Sequence, residues 1–304
     1  MKRALQSPLA NVLLFSIFWA IEIFIAKLAF LNGAQVVRFS LQANFVALII
    51  VFIYILPNKI KEFKKISFST IRWLLLGNAI ILGIGGFLGN AGLQLTTAIN
   101  AGFLSQFSTI ATAIFARLII GEKITKAKII SILTILLGTF LLVTKGQLII
   151  PHTGDILILL SCLCYGLGPT IIKKKHKTTP INADLVAFLR PVAGIPTILL
   201  FMLLSPLYPA SIQKIFQVNI FEADNVPYVI LNGIALALIW IFVNRTLKIA
   251  SVTYTALMSS LTPILVAILA IIFLNEKVDG IQLIGISLII ASSFIVQYLK
   301  FDKH

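Results

Sequence analysis

Leu9–Leu31 reads LANVLLFSIFWAIEIFIAKLAFL, a continuous apolar run broken by only two charged residues, Glu22 and Lys27. At 1.5 Å per residue such a run makes a helix about 35 Å long, enough to cross the roughly 30 Å hydrocarbon core of a bilayer. The run is continuous rather than alternating, which argues for a helix and against a barrel strand, the only other architecture that satisfies its backbone in lipid. Further runs follow at Val36–Leu56, Ile71–Leu93, Ala101–Ile120, Lys128–Thr144, Gly154–Ile172, Ile181–Leu204, Val226–Asn244, Thr253–Leu274 and Ile281–Leu299. The expectation is an all-α membrane protein of ten transmembrane helices.

Composition agrees. Of the 304 residues, 59% are hydrophobic and 12% charged, about half the charged share of a soluble domain, and the mean hydropathy is +1.03. A net charge of +15 would suggest nucleic acid in a soluble chain. Here the positive-inside rule accounts for it. If the N-terminus with Lys2 and Arg3 is cytoplasmic, the junctions after the even-numbered spans gather Lys59, Lys61, Lys64, Lys65, Arg72, Arg117, Lys123, Lys126, Lys128, Lys173–Lys177, Arg245 and Lys248, and the C-terminus adds Lys300 and Lys303. The other side receives only Lys145, Lys214 and Lys277. Both termini are therefore expected in the cytoplasm, with the bilayer as partner and no role for nucleic acid. No small-residue cleavage site follows the first run, so it is expected to stay in the mature chain of a multi-pass plasma-membrane protein, a bacterial inner membrane being the natural setting. Cys162 and Cys164 point in different directions on one helix and read as packing residues.

Slid against itself, the sequence shows a duplication. At an offset of 154, Asn90 meets Asn244, Leu93 meets Leu247, Ser105 meets Ser259, Glu122-Lys123 meets Glu276-Lys277 and Phe140 meets Phe294. Nearer the start the offset is 146, pairing Trp19-Ala20 with Tyr165-Gly166, Lys27 with Lys173 and Asn44 with Arg190; an insertion in Pro206–Pro227 explains the change. Residues 1–148 and 149–304 thus form two five-helix repeats. Five crossings are an odd number, so the second copy is inverted, a recurrent design in secondary transporters.

Several segments resemble the EamA family of the drug/metabolite transporter superfamily: Ala250–Ala256, Leu261-Thr262-Pro263 and Leu274–Lys277 in the second repeat, Gly121–Thr125 and Trp19-Ala20 in the first, with Arg190 where that family often has an arginine in its seventh helix. The first repeat departs from the pattern at Thr109, opposite Pro263, and at Asn44, opposite Arg190. The resemblance implies export or uptake of small metabolites.

Charged side chains at mid-depth are the sharpest candidates for a site, because lipid penalises them unless they face protein or water. Glu22 is the only acid at that depth. It reads as a contact for a substrate ammonium, as a titrating proton-coupling site, or as a structural ion-pair partner. Arg190 can hold a carboxylate or phosphate with two donors or neutralise Glu22. Trp19, Tyr165, Trp240 and Tyr254 suit an aromatic cavity lining; Asn90, Asn244, Gln106, Ser259 and Ser260 are neutral hydrogen-bonding candidates. Pro263 is expected to kink the ninth helix and serve as a hinge. Gly83, Gly86, Gly89 and Gly92 form a small-residue stripe for close packing or gating. Lys27 reads as snorkelling, Arg38 as an interfacial anchor and Asp184 as a cap on the seventh helix.

No Gly-x-x-x-x-Gly-Lys-Ser/Thr or His-Glu-x-x-His sequence is present and the three histidines lie outside the expected spans, so no nucleotide, metal or other cofactor is called for. The reading is a secondary transporter of small polar or amphipathic metabolites, such as amino acids, working by alternating access, with direction, coupling and oligomeric state open. Its competitor is a membrane-embedded receptor or enzyme, which would not need a duplicated, inverted bundle.

Overall fold

Helices begin where a short polar side chain can take an orphan backbone donor. Ser7, Ser67, Thr125 and Ser251 accept the backbone N–H groups of Ala10, Thr70, Lys128 and Tyr254, the usual N-cap geometry. Two turns end where a residue adopts the left-handed conformation, at Gly121 with φ 70° and at Lys145 with φ 55°.

The computed structural model describes residues 7–57, 60–63, 65–96, 98–148, 150–208, 210, 213, 219, 225–274 and 278–298. Its helices are α1 (Pro8–Leu31), α2 (Val36–Ile55), short α3 (Ile60–Phe63), α4 (Phe68–Asn78), α5 (Gly86–Leu95), α6 (Ala98–Leu104), α7 (Phe107–Ile120), α8 (Lys126–Thr144), α9 (Thr153–Thr178), α10 (Ala183–Leu203), α11 (Val226–Ile249), α12 (Val252–Ser259), α13 (Thr262–Leu274) and α14 (Gly280–Tyr298). A π-helical stretch, Ala79–Gly85, joins α4 to α5. Ten segments are long and apolar enough to cross a membrane, and no strand occurs among the described residues.

The bounds of these elements repeat with the offsets found in the sequence. Shifted by 154, α8 falls on α14 and α6 on α12; shifted by 146, α1 falls on α9 and α2 on α10 to within a few residues. Glu276 and Lys277, one half of the duplicated Glu-Lys pair, lie outside the described residues. Packing follows the same exchange: α1 lies along α11, as α9 lies along α4, the π stretch and α5, while α8 packs on α14 and α2 on α10.

Three expectations need correction. The fourth and ninth spans are not continuous helices: each breaks within one residue of the repeat-related position, between α6 and α7 at Ser105-Gln106 and between α12 and α13 at Ser260-Leu261. Pro263 therefore kinks nothing; it occupies the first turn of α13, where a missing N–H leaves no intrahelical bond unmade. Lys173 is not in a loop, because α9 runs on to Thr178. Arg38, in the first turn of α2, is covered by protein and only 7% exposed.

Candidate functional site

Asn78 is the last residue of α4 before the backbone widens into the π stretch, a local deformation that recurs at functional positions. Its side-chain Nδ2 donates to Leu74 O at 2.9 Å, which turns its Oδ1 outward to accept Arg190 Nε at 3.3 Å. Arg190 lies on α10 immediately before Pro191, is only 6% exposed, and has no other hydrogen bond among the described residues. No ion pair joins it to an acid among the described residues.

Glu22, half-buried on α1, is held from α11. Asn232 Nδ2 donates to its backbone oxygen at 3.0 Å and to its Oε1 at 3.4 Å. Glu22 and Arg190 are thus separate rather than paired. Tyr165, on α9, lies within electrostatic range of both. Its side chain is 38% exposed. Trp19, three residues before Glu22 and so on nearly the same side of α1, is also 38% exposed and stacks on Phe15 at 5.3 Å. A cationic side chain, an anionic one and two accessible aromatics can together receive a small molecule carrying both charges on an apolar body.

The glycines shape the wall behind these groups. A Cβ on Gly83 would overlap Thr197 of α10, and one on Gly92 would come within 2.9 Å of Gly154 O on α9. At Gly89 it would stand 3.7 Å from the Tyr165 hydroxyl, whereas at Gly86 it would meet nothing within 4 Å. The stripe is therefore chiefly a packing surface that lets α5 and the π stretch approach α9 and α10.

Other sequence candidates lie elsewhere. Trp240 and Tyr254 are 2% and 1% exposed in the main core, and the Tyr254 hydroxyl donates to Gln297 Oε1 at 2.9 Å. Asn244 is fully buried and donates to Trp240 O in its own helix. Asn90 is half-buried on α5. Gln106 sits at the break of the fourth span, and Ser259 and Ser260 at that of the ninth, both hydroxyls donating to Ala256 O.

Comparison with known proteins is consistent along the whole chain. The model of the EamA-like transporter family matches twice, over residues 7–144 and 152–298. The chain belongs to the EamA-like transporter family. It is similar to a Bacillus subtilis (strain 168) protein named "Uncharacterized transporter YyaM", 24% identical over 261 residues that cover 83% of this chain and 80% of that one. A solved crystal structure matches its fold with a TM-score of 0.70 at 16% identity, covering 98% of both chains. This EamA-like chain is thus a multi-pass membrane transporter.

In this EamA-like protein the end of the bundle that gathers the lysines carries buried polar contacts, some between the halves and some within the second half. Glu122, 3% exposed after α7, accepts Val252 N at 3.0 Å and Thr253 Oγ1 at 2.8 Å at the start of α12, with Lys128 Nζ 3.9 Å away. A carboxylate is well placed there, since the helix start presents orphan N–H groups and positive charge. Lys173 does the converse, donating to Leu247 O at 2.7 Å at the end of α11. Arg245 grips Asp184 with two donors, Nε at 2.8 Å and Nη2 at 3.0 Å, and reaches Tyr54 Oη at 2.8 Å. Beside this clasp is a 270 Å³ cavity lined by Asn11, Asn182 and Lys248 among others. α12 packs on α7 and α9, and α13 on α1; the opposite end has its own links between the halves, Asn100 Nδ2 donating to the Asp155 carboxylate at 3.1 Å and Lys145 Nζ lying 3.7 Å from Asp279 Oδ2.

Asn78 and Asn232 escaped the sequence reading. The signal was present: they are themselves 154 residues apart.

Proposed function

We propose that the chain is a secondary transporter of small amphipathic metabolites bearing an amino and an acidic group, amino acids being the nearest class, moved by alternating access. The observation that carries this reading is the pair of opposite charges at mid-depth, Glu22 and Arg190, each held by an amide and neither neutralised by the other. Such groups are costly in a membrane unless a ligand or water completes them. Arg190 receives the carboxylate with its terminal nitrogens, Glu22 receives the ammonium or a coupling proton, and Trp19 and Tyr165 cover the apolar part.

Two inverted repeats, residues 1–148 and 149–304, supply the exchange of states. By the positive-inside rule the lysine-rich end is cytoplasmic, both termini included, and the membrane is the bacterial inner membrane. The test is uptake of a radiolabelled panel of the twenty amino acids into proteoliposomes, with and without a proton gradient. Accumulation or counterflow of at least one member is expected. A protein that reconstitutes in the correct orientation and carries none would refute the reading.

A further inference from the structure

The same residue type, at the same place in each repeat, holds charges of opposite sign. Asn78 and Asn232 correspond at the 154-residue offset; they are 0% and 1% exposed. Asn78 turns its carbonyl oxygen toward the Arg190 guanidinium, and Asn232 turns its amino group toward Glu22. An amide is the side chain that can do both, since it carries an acceptor and two donors on one planar group. We propose that Asn78 and Asn232 are paired positioning residues that set the charge polarity of the substrate site: Asn78 fixes the subsite for the acidic group and Asn232 the subsite for the amino group. The proposal rests on the transport reading above.

Local structure fixes which end of each amide faces the charge. Asn78 spends its amino group on Leu74 O, one turn back in α4, leaving only the oxygen for Arg190. Asn232 anchors its amino group on the Glu22 backbone oxygen and the carboxylate together. α1 and α11 are thereby joined where Glu22 projects. The asymmetry of the backbone matches: the π stretch follows Asn78, while its counterpart after Asn232 is regular α-helix within α11. Neither asparagine needs to touch substrate; each restrains the charged group that does.

A purely structural role would affect all ligands alike, whereas a polarity-setting role separates them by charge. The probes are the amino acid that the wild type carries fastest from the panel of twenty, its decarboxylated amine and its deaminated acid. Uptake of each is measured in proteoliposomes at matched protein content, with the amine and acid also tested as inhibitors of amino-acid uptake. Asn78→Asp supplies Arg190 with an internal carboxylate, and should weaken the amino acid and the acid by about tenfold or more while sparing the amine. Asn232→Leu removes the donor to Glu22 and should weaken the amino acid and the amine while sparing the acid. If Asn78→Asp fails to insert, Asn78→Leu serves in its place, with the same direction expected. Equal losses for all three probes, or no change in either variant, would overturn the proposal and leave the transport reading intact. A wild type that carries none of the twenty would instead remove the reading on which it rests.

Discussion

The carboxylate of Glu122, from the first half of the chain, accepts the backbone N–H of Val252, from the second, at 3.0 Å. The contact caps α12 with a residue remote in sequence, so the start of the ninth span is held by the junction after the fourth. Any motion that opens the lysine-rich end by moving α12 from α7 must release it.

Glu122→Ala leaves a buried backbone donor and the Thr253 hydroxyl without their acceptor and removes the ion pair with Lys128. The expected cost is about 3 kcal/mol, measured as a lowered melting temperature in detergent. Glu122→Gln should cost less, because one oxygen still accepts and the Thr253 hydroxyl can reverse its role. In both variants a single cysteine placed at Thr255, 5% exposed on α12, should be alkylated faster than in the parent. Unchanged alkylation with lowered stability would make Glu122 a cap and not part of a gate.

Gly83→Ala tests the close approach of the π stretch to α10. The added methyl overlaps both Cβ and Cγ2 of Thr197, so about 1–3 kcal/mol of strain is expected. Thr197→Ala should relieve little, since its Cβ remains, whereas Thr197→Gly should restore most of the loss. Equal stability of Gly83→Ala and the parent would show that the two segments can separate freely.

Orientation is checked with single cysteines in a Cys162→Ala/Cys164→Ala background. A cysteine at Lys174, exposed on α9, should react only with reagent on the cytoplasmic side, and one at Lys145, exposed after α8, only from outside. The reverse pattern would invert the assignment of both termini.

The spans were legible because lipid demands continuous apolar length, and the repeat was legible because polar matches such as Ser105 with Ser259 are rare by chance. What sequence did not reveal is where a helix breaks inside an apolar run. Gln106 and Ser260 look no different from helix-facing polar residues until the backbone leaves the α geometry beside them. Facing direction was equally hidden. Trp19 and Trp240 are both aromatic residues inside spans, but the first is 38% exposed and the second is in the core; only the packing of α1 and α11 against their neighbours separates them. Asn78 and Asn232 were missed for a different reason: each lies near the middle of a long apolar run, where an asparagine also reads as ordinary helix cohesion.

Arg190→Lys keeps a positive charge but loses the planar, two-donor group. The Asn78 contact runs through Nε, which lysine lacks, so its ammonium must choose between Asn78 and the substrate. Uptake of an acid-bearing substrate at matched expression should fall by about tenfold, mostly in apparent affinity. Unchanged affinity and turnover would remove Arg190 from the substrate site.

The double variant Glu22→Gln/Arg190→Gln decides between two uses of the same charges. If they neutralised one another, either single change would strand a buried charge, and the double change would recover what the singles lost. The structure keeps them apart, each on its own asparagine, so recovery is not expected: the singles should insert and fold but carry a doubly charged substrate poorly, and the double should carry it no better than the weaker single. The singles should also differ in kind. Glu22→Gln still accepts from Asn232 through its amide oxygen, so the link between α1 and α11 survives and only the charge is lost; any proton dependence of uptake should disappear with it. Arg190→Gln shortens the side chain and empties the space beside Asn78, so its loss should fall on acid-bearing substrates whatever the proton gradient. Transport restored in the double variant would show that Glu22 and Arg190 pair during the cycle, and the two-subsite account of recognition would then fail.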